Sequence, residues 1–442
     1  MPKVIYNRNM KNEIIKVKCI DMTVEGYGVA KVNQLVIFVK GMIVDEVASI
    51  KIIAAKKNLA YAIIDELLVS SPYRVTSVCP IAHKCGGCDL RHIAYPFQLQ
   101  LKKQWVKETL RNVGGLDLEV KDVEPSPLID KYRNKVQVPV KDGKLGFYRR
   151  NSHEIMEYGH CYIESDISNE IVNFIKDIIF KEGYDQYFRH ILIKHAFATG
   201  EIMVGLILNV KDFAGLDYLV AQLTEHFEQI KSIIVNVNCR NDNVILGEEE
   251  HVVYGSSYIV DKLDGLSFKI SLKSFYQVNP LQTVNLYNEV VKRAGIDKNA
   301  EVLDLYSGIG SISLFVSRFA KHVTGVEIVA PAVENAKDNA MINHIDNVDF
   351  YLDDAANHLK EHLINKDVVI VDPPRKGLNK SVIEDIAAAN IKKIVYVSCN
   401  KATLARDLKL FKEHGYQIDY VKPFDMFPQT VHVECVANIF KA

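Results

Sequence analysis

The sequence predicts an α/β fold: a doubly wound parallel sheet in the C-terminal third, preceded by a small β-barrel and an α+β middle region. The sheet rests on two observations. From residue 300 onward strand-like and helical segments alternate strictly, and the strand-like ones are apolar runs suited to burial on both faces. Runs of that kind joined by helices form a parallel sheet covered on both sides. They read EVLDLY from Glu301, HVTGVE from His322, VDFYL from Val348, VVIVDPP from Val368 and KIVYVSC from Lys393. Helical runs such as APAVENAKDNAMIN and KATLARDLKLFKEH lie between them.

Residues 14–67 read differently, as short β-branched runs (IIKVKCI, LVIFV, DEVASIKII, YAIIDELL) punctuated by Gly26, Gly28 and Gly41, a small-barrel pattern. A helix is expected from Tyr95 to about Val113, ending at Gly114-Gly115. Residues 116 to about 270 mix strand-like runs (KVQVPV, IMVGLILNV, SIIVNVNC) with helical ones (EIVNFIKDIIF, YLVAQLTEHF). The expected division is a barrel over 1–70, a central α+β domain over 71–270 and a catalytic domain over 271–442, as the 442-residue length allows at about 150 residues per domain.

With 25% charged and 48% apolar residues the chain is an ordinary globular protein, neither fibrous nor largely disordered. The formal net charge is -1, so any surface suited to nucleic acid has to be local. Residues 101–150 are the candidate, with twelve Lys and Arg against seven acids. The opening MPKVIYNRNMKNEIIK lacks the apolar core of a secretory signal, and no run approaches the ~20 apolar residues of a membrane span. A cytoplasmic, monomeric protein without a stable protein partner is expected. In that reducing setting the eight cysteines point to metal ligands or nucleophiles rather than disulfides.

Asp304-Leu-Tyr-Ser-Gly308-Ile-Gly310-Ser follows the first strand of the sheet and opens a helix, a turn that lets a ligand approach the backbone. Glu327 ends the next strand, nineteen residues after Gly308, where an acid can bind both ribose hydroxyls of a nucleoside cofactor. A dinucleotide loop would carry a third glycine, and here Ser311-Ile312-Ser313 follows. The loop looks like the first motif of class I methyltransferases, which favours S-adenosylmethionine over a nicotinamide dinucleotide.

Val371-Asp372-Pro373-Pro374-Arg375-Lys376-Gly377 ends the fourth strand and Val397-Ser398-Cys399-Asn400 the fifth, both at the carboxyl edge of the sheet where ligands bind in open α/β folds. A thiolate placed there has a use. Carbon 5 of uracil is a poor nucleophile, and addition of sulfur to carbon 6 turns the ring into an enolate whose carbon 5 can take a methyl group. Carbon 5 then carries a proton that a base must remove. Glu434, in His432-Val433-Glu434-Cys435, is the candidate.

The set Phe275-Tyr276-Gln277-Val278-Asn279, Asp304 to Gly310, Asp372 to Gly377, Ser398-Cys399-Asn400 and His432-Val433-Glu434 resembles, in the same order, the motifs of RNA uracil-5-methyltransferases. The resemblance covers nearly the whole chain. It implies a class I S-adenosylmethionine-dependent methyltransferase, with a Rossmann-like doubly wound sheet. Gln277, Tyr306, Gly308, Glu327 and Asp372 would bind the cofactor, Cys399 would be the nucleophile and Glu434 the proton acceptor. Amine methylators resemble this fold but carry Asn-Pro-Pro-aromatic where this chain has Asp-Pro-Pro-Arg. Tyr306-Ser307 replaces the Phe-Cys of many members, and Ser311 replaces an Asn.

Cys79, Cys85 and Cys88, with Cys161 downstream, form a set of four thiols that suits an iron-sulfur cluster or zinc. The spacing is similar to that of the ribosomal RNA branch of the family, which implies a 4Fe-4S cluster and a 23S ribosomal RNA target; transfer RNA is the alternative. Cys19, Cys239 and Cys435 have no partners by spacing and are expected to pack. Residues 5–67, with Glu25-Gly26-Tyr27-Gly28-Val29-Ala30, resemble a TRAM module, an OB-like RNA-binding barrel. Two other classes remain open from the residues alone. An iron-sulfur oxidoreductase would leave Cys399 and Glu434 idle, and a noncatalytic RNA-binding protein would not need them.

Overall fold

The computed structural model describes residues 10–355 and 359–441. Residues 1–9, the start of the expected barrel region, and Ala442, the end of the expected catalytic domain, lie outside the described residues. Among the described residues no helix is long and apolar enough to cross a membrane.

The C-terminal sheet has seven strands, in the order Val348–Leu352, His322–Glu327, Glu301–Leu305, Val368–Val371, Lys393–Ser398, Glu434–Lys441, Tyr416–Phe424. The five runs expected from sequence pair in parallel. The last two strands correct the expectation of a wholly parallel sheet, because they form an antiparallel hairpin whose second strand pairs antiparallel to Lys393–Ser398. The loop of residues 425–433 joins them without a crossover helix, and a direct connection of that kind reverses strand direction.

Neighbouring strand residues feed opposite cores. Val302, Ile370 and Val395 point into one, with Tyr287 and Val290 of helix Pro280–Ala294 and Phe315 of helix Ser311–Ser317. Leu303, Val369 and Tyr396 point into the other, with Val382 of helix Lys380–Ala388 and Leu404 and Phe411 of helix Lys401–Glu413. The alternation is the period-two geometry of a strand buried on both faces.

Helix Tyr95–Gly114 ends on Gly115 in the left-handed region (φ 64°), and its Val106 and Leu110 join the second of these cores. Val120 and Glu124 then bridge to Val421 and Phe424, so the chain after this helix runs along the edge of the C-terminal sheet. The hairpin of Tyr258–Leu263 and Leu266–Ser271 buries Ile259, Phe268 and Ile270 in the first core. The C-terminal core thus draws on residues that the sequence pattern groups with the central region.

The central sheet has six strands, in the order Glu249–Gly255, Ile230–Val237, Ile202–Leu208, Phe188–His195, Lys135–Lys141, Lys144–Leu145, covered by helices Asp166–Lys181 and Leu216–His226. The N-terminal strands close into a five-stranded barrel around Cys19, Ala30, Ile37, Val39, Ile50 and Ala62. Its strand Tyr27–Val32 is absent from the β-branched runs because the barrel needs Gly28: a Cβ there would lie 2.6 Å from the Met42 carbonyl oxygen and 2.9 Å from Cys19 Sγ.

The basic count over residues 101–150 overstates the free cations. Lys102 is fully buried, its Nζ 2.5 Å from Asp425 Oδ1 and donating to the Phe427 carbonyl at 3.2 Å. Lys103, Lys121, Lys131, Arg149 and Arg150 each pair with an acid. Breaking one half of a buried pair leaves an uncompensated charge, so Lys102→Met is expected to lower stability by about 3–5 kcal/mol in urea unfolding. Combining it with Asp425→Leu should recover most of that loss.

Candidate active site

The chain leaves strand Glu301–Leu305 through three left-handed residues, Tyr306 (φ 66°), Gly308 (φ 56°) and Gly310 (φ 79°), before helix Ser311–Ser317. Gly310 has no room for a side chain, since a Cβ would stand 2.6 Å from the Phe350 ring. Asp304, beneath the turn, is fully buried; its Oδ2 accepts from Ser313 Oγ at 2.5 Å, and burial pushes its pKa up to about 7. Glu327 closes the turn from the neighbouring strand. Its Oε2 accepts from the Gly308 amide at 3.0 Å and its Oε1 from the Ile328 and Val329 amides, each at 2.9 Å. These bonds hold the carboxylate at the mouth of the loop, where cofactor hydroxyls can donate to it.

Gln277, Tyr306, Gly308, Glu327, Asp372, Cys399 and Glu434, dispersed over more than 150 residues, line a single cavity of about 700 Å³. That volume falls in the usual range of small-molecule and cofactor sites, about 300–1,000 Å³. The hairpin explains part of the convergence. Ser398 lies opposite Cys435, and Phe424 lies opposite Glu434. One step beyond the Ser398 register, Cys399 comes beside Glu434, while Asp372 follows Val371, the partner of Tyr396 on the adjoining strand.

This edge concentrates groups that hold protons. Burial first, then the Glu434 and Asp372 carboxylates, push the Cys399 thiol up to about 11, and Arg375 acts the other way. Glu434 is raised well above the usual carboxylate range by burial and by Asp372, again against Arg375. Asp372 is raised by burial to about 7. The three acids oppose one another's ionisation, and Arg375 is the cation that relieves both Cys399 and Glu434. Its backbone is fixed from beside Cys399: Asn400 Nδ2 donates to the Arg375 carbonyl at 3.0 Å, and Asn400 Oδ1 caps the following helix through the Ala402 amide at 3.0 Å.

Sequence reasoning noted the Asp-Pro-Pro-Arg run but gave Arg375 no part, because a cation's effect on a thiol depends on proximity and not on spacing along the chain. It also missed Lys194, which lines the cavity; burial lowers its pKa well below the usual lysine value, and its Nζ donates to the Ser271 and Ser274 carbonyls at 2.6 and 2.8 Å. No motif surrounds Lys194. Phe275, exposed at 68%, and Phe427 add aromatic surface to the same cavity.

Cys79, Cys85, Cys88 and Cys161 line a second cavity, of about 230 Å³. Burial pushes the Cys88 thiol up to about 11 and raises those of Cys85 and Cys161, each further raised by its neighbours among the four. Among the described residues no three His, Cys, Asp or Glu side chains are grouped to hold one metal ion. The four thiols thus share a cavity without being arranged there as ligands of a metal ion, so neither the iron-sulfur cluster nor the zinc expected from their spacing is shown. Cys19 and Cys435 are buried as expected, but Cys239 is exposed, correcting its assignment to packing. It sits past the end of strand Ile230–Val237 and donates to the Asn209 carbonyl at 3.2 Å.

The chain is similar to known RNA methyltransferases. The sequence model of the tRNA (Uracil-5-)-methyltransferase family matches residues 94–441. An uncharacterized RNA methyltransferase of Clostridium acetobutylicum is 43% identical over 457 residues, covering 99% of each chain. One from Bacillus cereus is 42% identical over 447 residues, covering 96% of each. The crystal structure of the Pyrococcus abyssi tRNA (uracil-54, C5)-methyltransferase in complex with S-adenosyl-L-homocysteine is similar with a TM-score of 0.78 at 29% identity, over 96% of this chain and 99% of that one.

Replacing Glu327 by Gln removes the charged acceptor at the loop mouth. Such a bond contributes about 1.5–3 kcal/mol, so affinity for S-adenosylhomocysteine should fall about tenfold to a hundredfold by titration calorimetry. An unchanged affinity would remove Glu327 from the cofactor site.

Proposed function

The chain belongs to the tRNA (uracil-5-)-methyltransferase family, and on that footing we propose that it methylates carbon 5 of a uridine in 23S ribosomal RNA through a covalent bond between Cys399 and carbon 6. At the family level it is an S-adenosylmethionine-dependent RNA methyltransferase. The observation that supports the covalent mechanism is the meeting of Cys399 and Glu434 in one cavity with Glu327 and Asp372; the ribosomal target rests on the spacing of the four cysteines alone.

S-adenosylmethionine, when bound, supplies an electrophilic methyl group. Gly308 and Gly310 let it approach the backbone, Glu327 takes its ribose hydroxyls, and Gln277, Tyr306 and Asp372 line its remaining surface. Cys399, as thiolate, forms a bond from sulfur to carbon 6, and the electron pair of the ring double bond passes to the enolate and makes carbon 5 nucleophilic. As carbon 5 takes the methyl group, the bond from that methyl to the cofactor sulfur would break and leave S-adenosylhomocysteine, and Glu434 then takes the carbon 5 proton. The double bond re-forms, the bond between carbon 6 and sulfur breaks, and Cys399 leaves as thiolate. The proton on Glu434 then passes to solvent.

The target base has to leave its stack to enter this cavity. Flanking RNA would follow a groove of about 630 Å³ between the barrel and the cysteine segment, lined by Lys40 and Lys84 together with Arg74, Arg91, Arg149 and Arg150, each of these four already paired with an acid. Lys40 is lowered by burial and by the charges of Arg150 and Arg149, a sign of positive potential that phosphates would relieve. The four cysteines are read as thiolate ligands of a 4Fe-4S cluster. Each iron of such a cluster takes one thiolate, so four sulfurs around one cavity suit it better than they suit a single ion. Uracil methylation needs no electron, and the cluster's contribution would be structural.

Transfer RNA is the second reading, favoured by the likeness to the Pyrococcus enzyme. With 5-fluorouridine at carbon 5 no proton can be removed, and the adduct should persist. Denaturing gels are expected to show a shifted band for the wild type with fluorouridine-containing 23S ribosomal RNA, none with transfer RNA and none for Cys399→Ala. A band with transfer RNA alone would make that RNA the substrate, and no band with either would remove Cys399 as nucleophile.

Cys399 and Glu434 both have raised pKa values and must both be ionised to work. The active fraction is therefore small at low pH and grows as pH rises. kcat/KM for RNA should climb without a plateau between about pH 6 and about pH 9. Arg375→Gln should lower it across that range and move the rising limb further to alkaline pH. A flat profile would contradict this assignment.

A further inference from the structure

We infer that the segment following the third cysteine, centred on Asp89, is a strut that positions the proton acceptor, acting through the loop of residues 425–433. The inference rests on the proposed role of Glu434. That loop closes the C-terminal hairpin, and its two ends meet at the base, with Phe424 paired to Glu434. Phe427, within it, lines the catalytic cavity.

Several polar groups of the loop, those of Gln429 above all, are held by residues that follow the third cysteine of the set. The amides of Asp89 and Leu90 both donate to the Gln429 carbonyl at 2.9 Å, and Asp89 Oδ2 accepts from the Val431 amide at 3.3 Å. The Gln98 amide pairs reciprocally with Gln429, its nitrogen donating to Gln429 Oε1 at 3.0 Å and its oxygen accepting from the Gln429 backbone amide at 3.2 Å. Tyr132 Oη donates to the Pro428 carbonyl at 3.1 Å, and Lys102 holds Asp425 and the Phe427 carbonyl. Gln429 itself sits in the left-handed region (φ 70°), a conformation its surroundings must impose.

Asp89 is anchored in turn to the cysteine loop. Arg150 forms an ion pair with Asp89 and donates to the Cys88 carbonyl at 3.0 Å, and the Arg150 amide donates to the Lys84 carbonyl at 3.1 Å. A continuous run of hydrogen bonds therefore joins the framework around Cys85 and Cys88 to a loop that ends at Glu434. It gives the cysteine cavity a role in catalysis without any electron transfer: it holds the far end of the strut still.

The chemistry says which step suffers when the strut is cut. Glu434 acts after methyl transfer, so a displaced carboxyl leaves the sulfur bond to carbon 6 intact, with carbon 5 carrying both the methyl group and its proton. Asp89 is a positioning residue, and its loss should stall resolution rather than cofactor binding.

The experiment compares wild type, Glu434→Gln, Asp89→Ala, Asp89→Asn and Gln98→Leu on RNA containing ordinary uridine, using the RNA that the wild type methylates. Asp89→Ala and Gln98→Leu are expected to lower kcat about tenfold to a hundredfold, since a displacement on the order of 1 Å at a reacting group has effects of that size. Affinity for S-adenosylhomocysteine should stay within about twofold, and both variants, like Glu434→Gln, are expected to trap a methylated covalent adduct on denaturing gels. Asp89→Asn keeps a side-chain oxygen for the Val431 amide and should recover part of the rate. If Glu434→Gln traps the adduct while Asp89→Ala and Gln98→Leu turn over normally, or fail without an adduct, the strut is overturned and the methylation reading stands. If Glu434→Gln traps nothing and fluorouridine RNA gives no adduct with wild type, the methylation reading fails and takes the strut with it.

Discussion

The antiparallel pairing of strand Glu434–Lys441 with Lys393–Ser398 is the contact on which the site depends. A wholly parallel sheet would end at Cys399 with a thiol on a bare edge. The added strand brings a buried carboxyl beside that thiol, at the edge where the loop after Glu301–Leu305 already offers a cofactor turn. Cys399, Glu434 and the Gly308-Gly310 turn come from strands whose positions are fixed by two apolar cores, so their meeting is preorganised by packing.

Packing three acidic groups together has an electrostatic consequence. Burial raises the pKa of Cys399, Asp372 and Glu434, neighbouring carboxylates raise those of Cys399 and Glu434 further, and Arg375 acts against both of the latter. A carboxyl with raised proton affinity is a stronger acceptor once ionised, which suits the removal of a proton from carbon. The same environment makes the thiol unreactive until it loses its proton, which limits wasteful chemistry at a half-exposed cysteine.

Much of this was legible in the sequence where the signal is local. The glycine turn after strand Glu301–Leu305, the acid at the end of the next strand and the apolar runs of the sheet each have a short-range cause, and the structure places them where the sequence does. Elements fixed by distant neighbours were not. Strand Phe188–His195 hides behind Arg189, His190 and Lys194, and Lys194 is buried only because two carbonyls from the segment of residues 271–274 receive it. Strand Tyr27–Val32 lacks a β-branched run because its neighbours leave room only for glycine at residue 28. Lys102 counted as surface charge until its helix was seen to face Asp425. The four thiols expected to act together do line one cavity, though not as a metal-holding group among the described residues, and the exposure of Cys239 had no local signal.

The central claim is that a proton leaves carbon 5 of uridine for each methyl group that arrives. The measurement that tests it most directly uses RNA labelled with tritium at carbon 5 of uridine and S-adenosylmethionine labelled with carbon-14 in the methyl group. Equal molar release of tritium to water and incorporation of carbon-14 into RNA is the expected result. Incorporation of the methyl label with tritium retained would place the methyl group elsewhere on the nucleotide and contradict the assigned roles of Cys399 and Glu434.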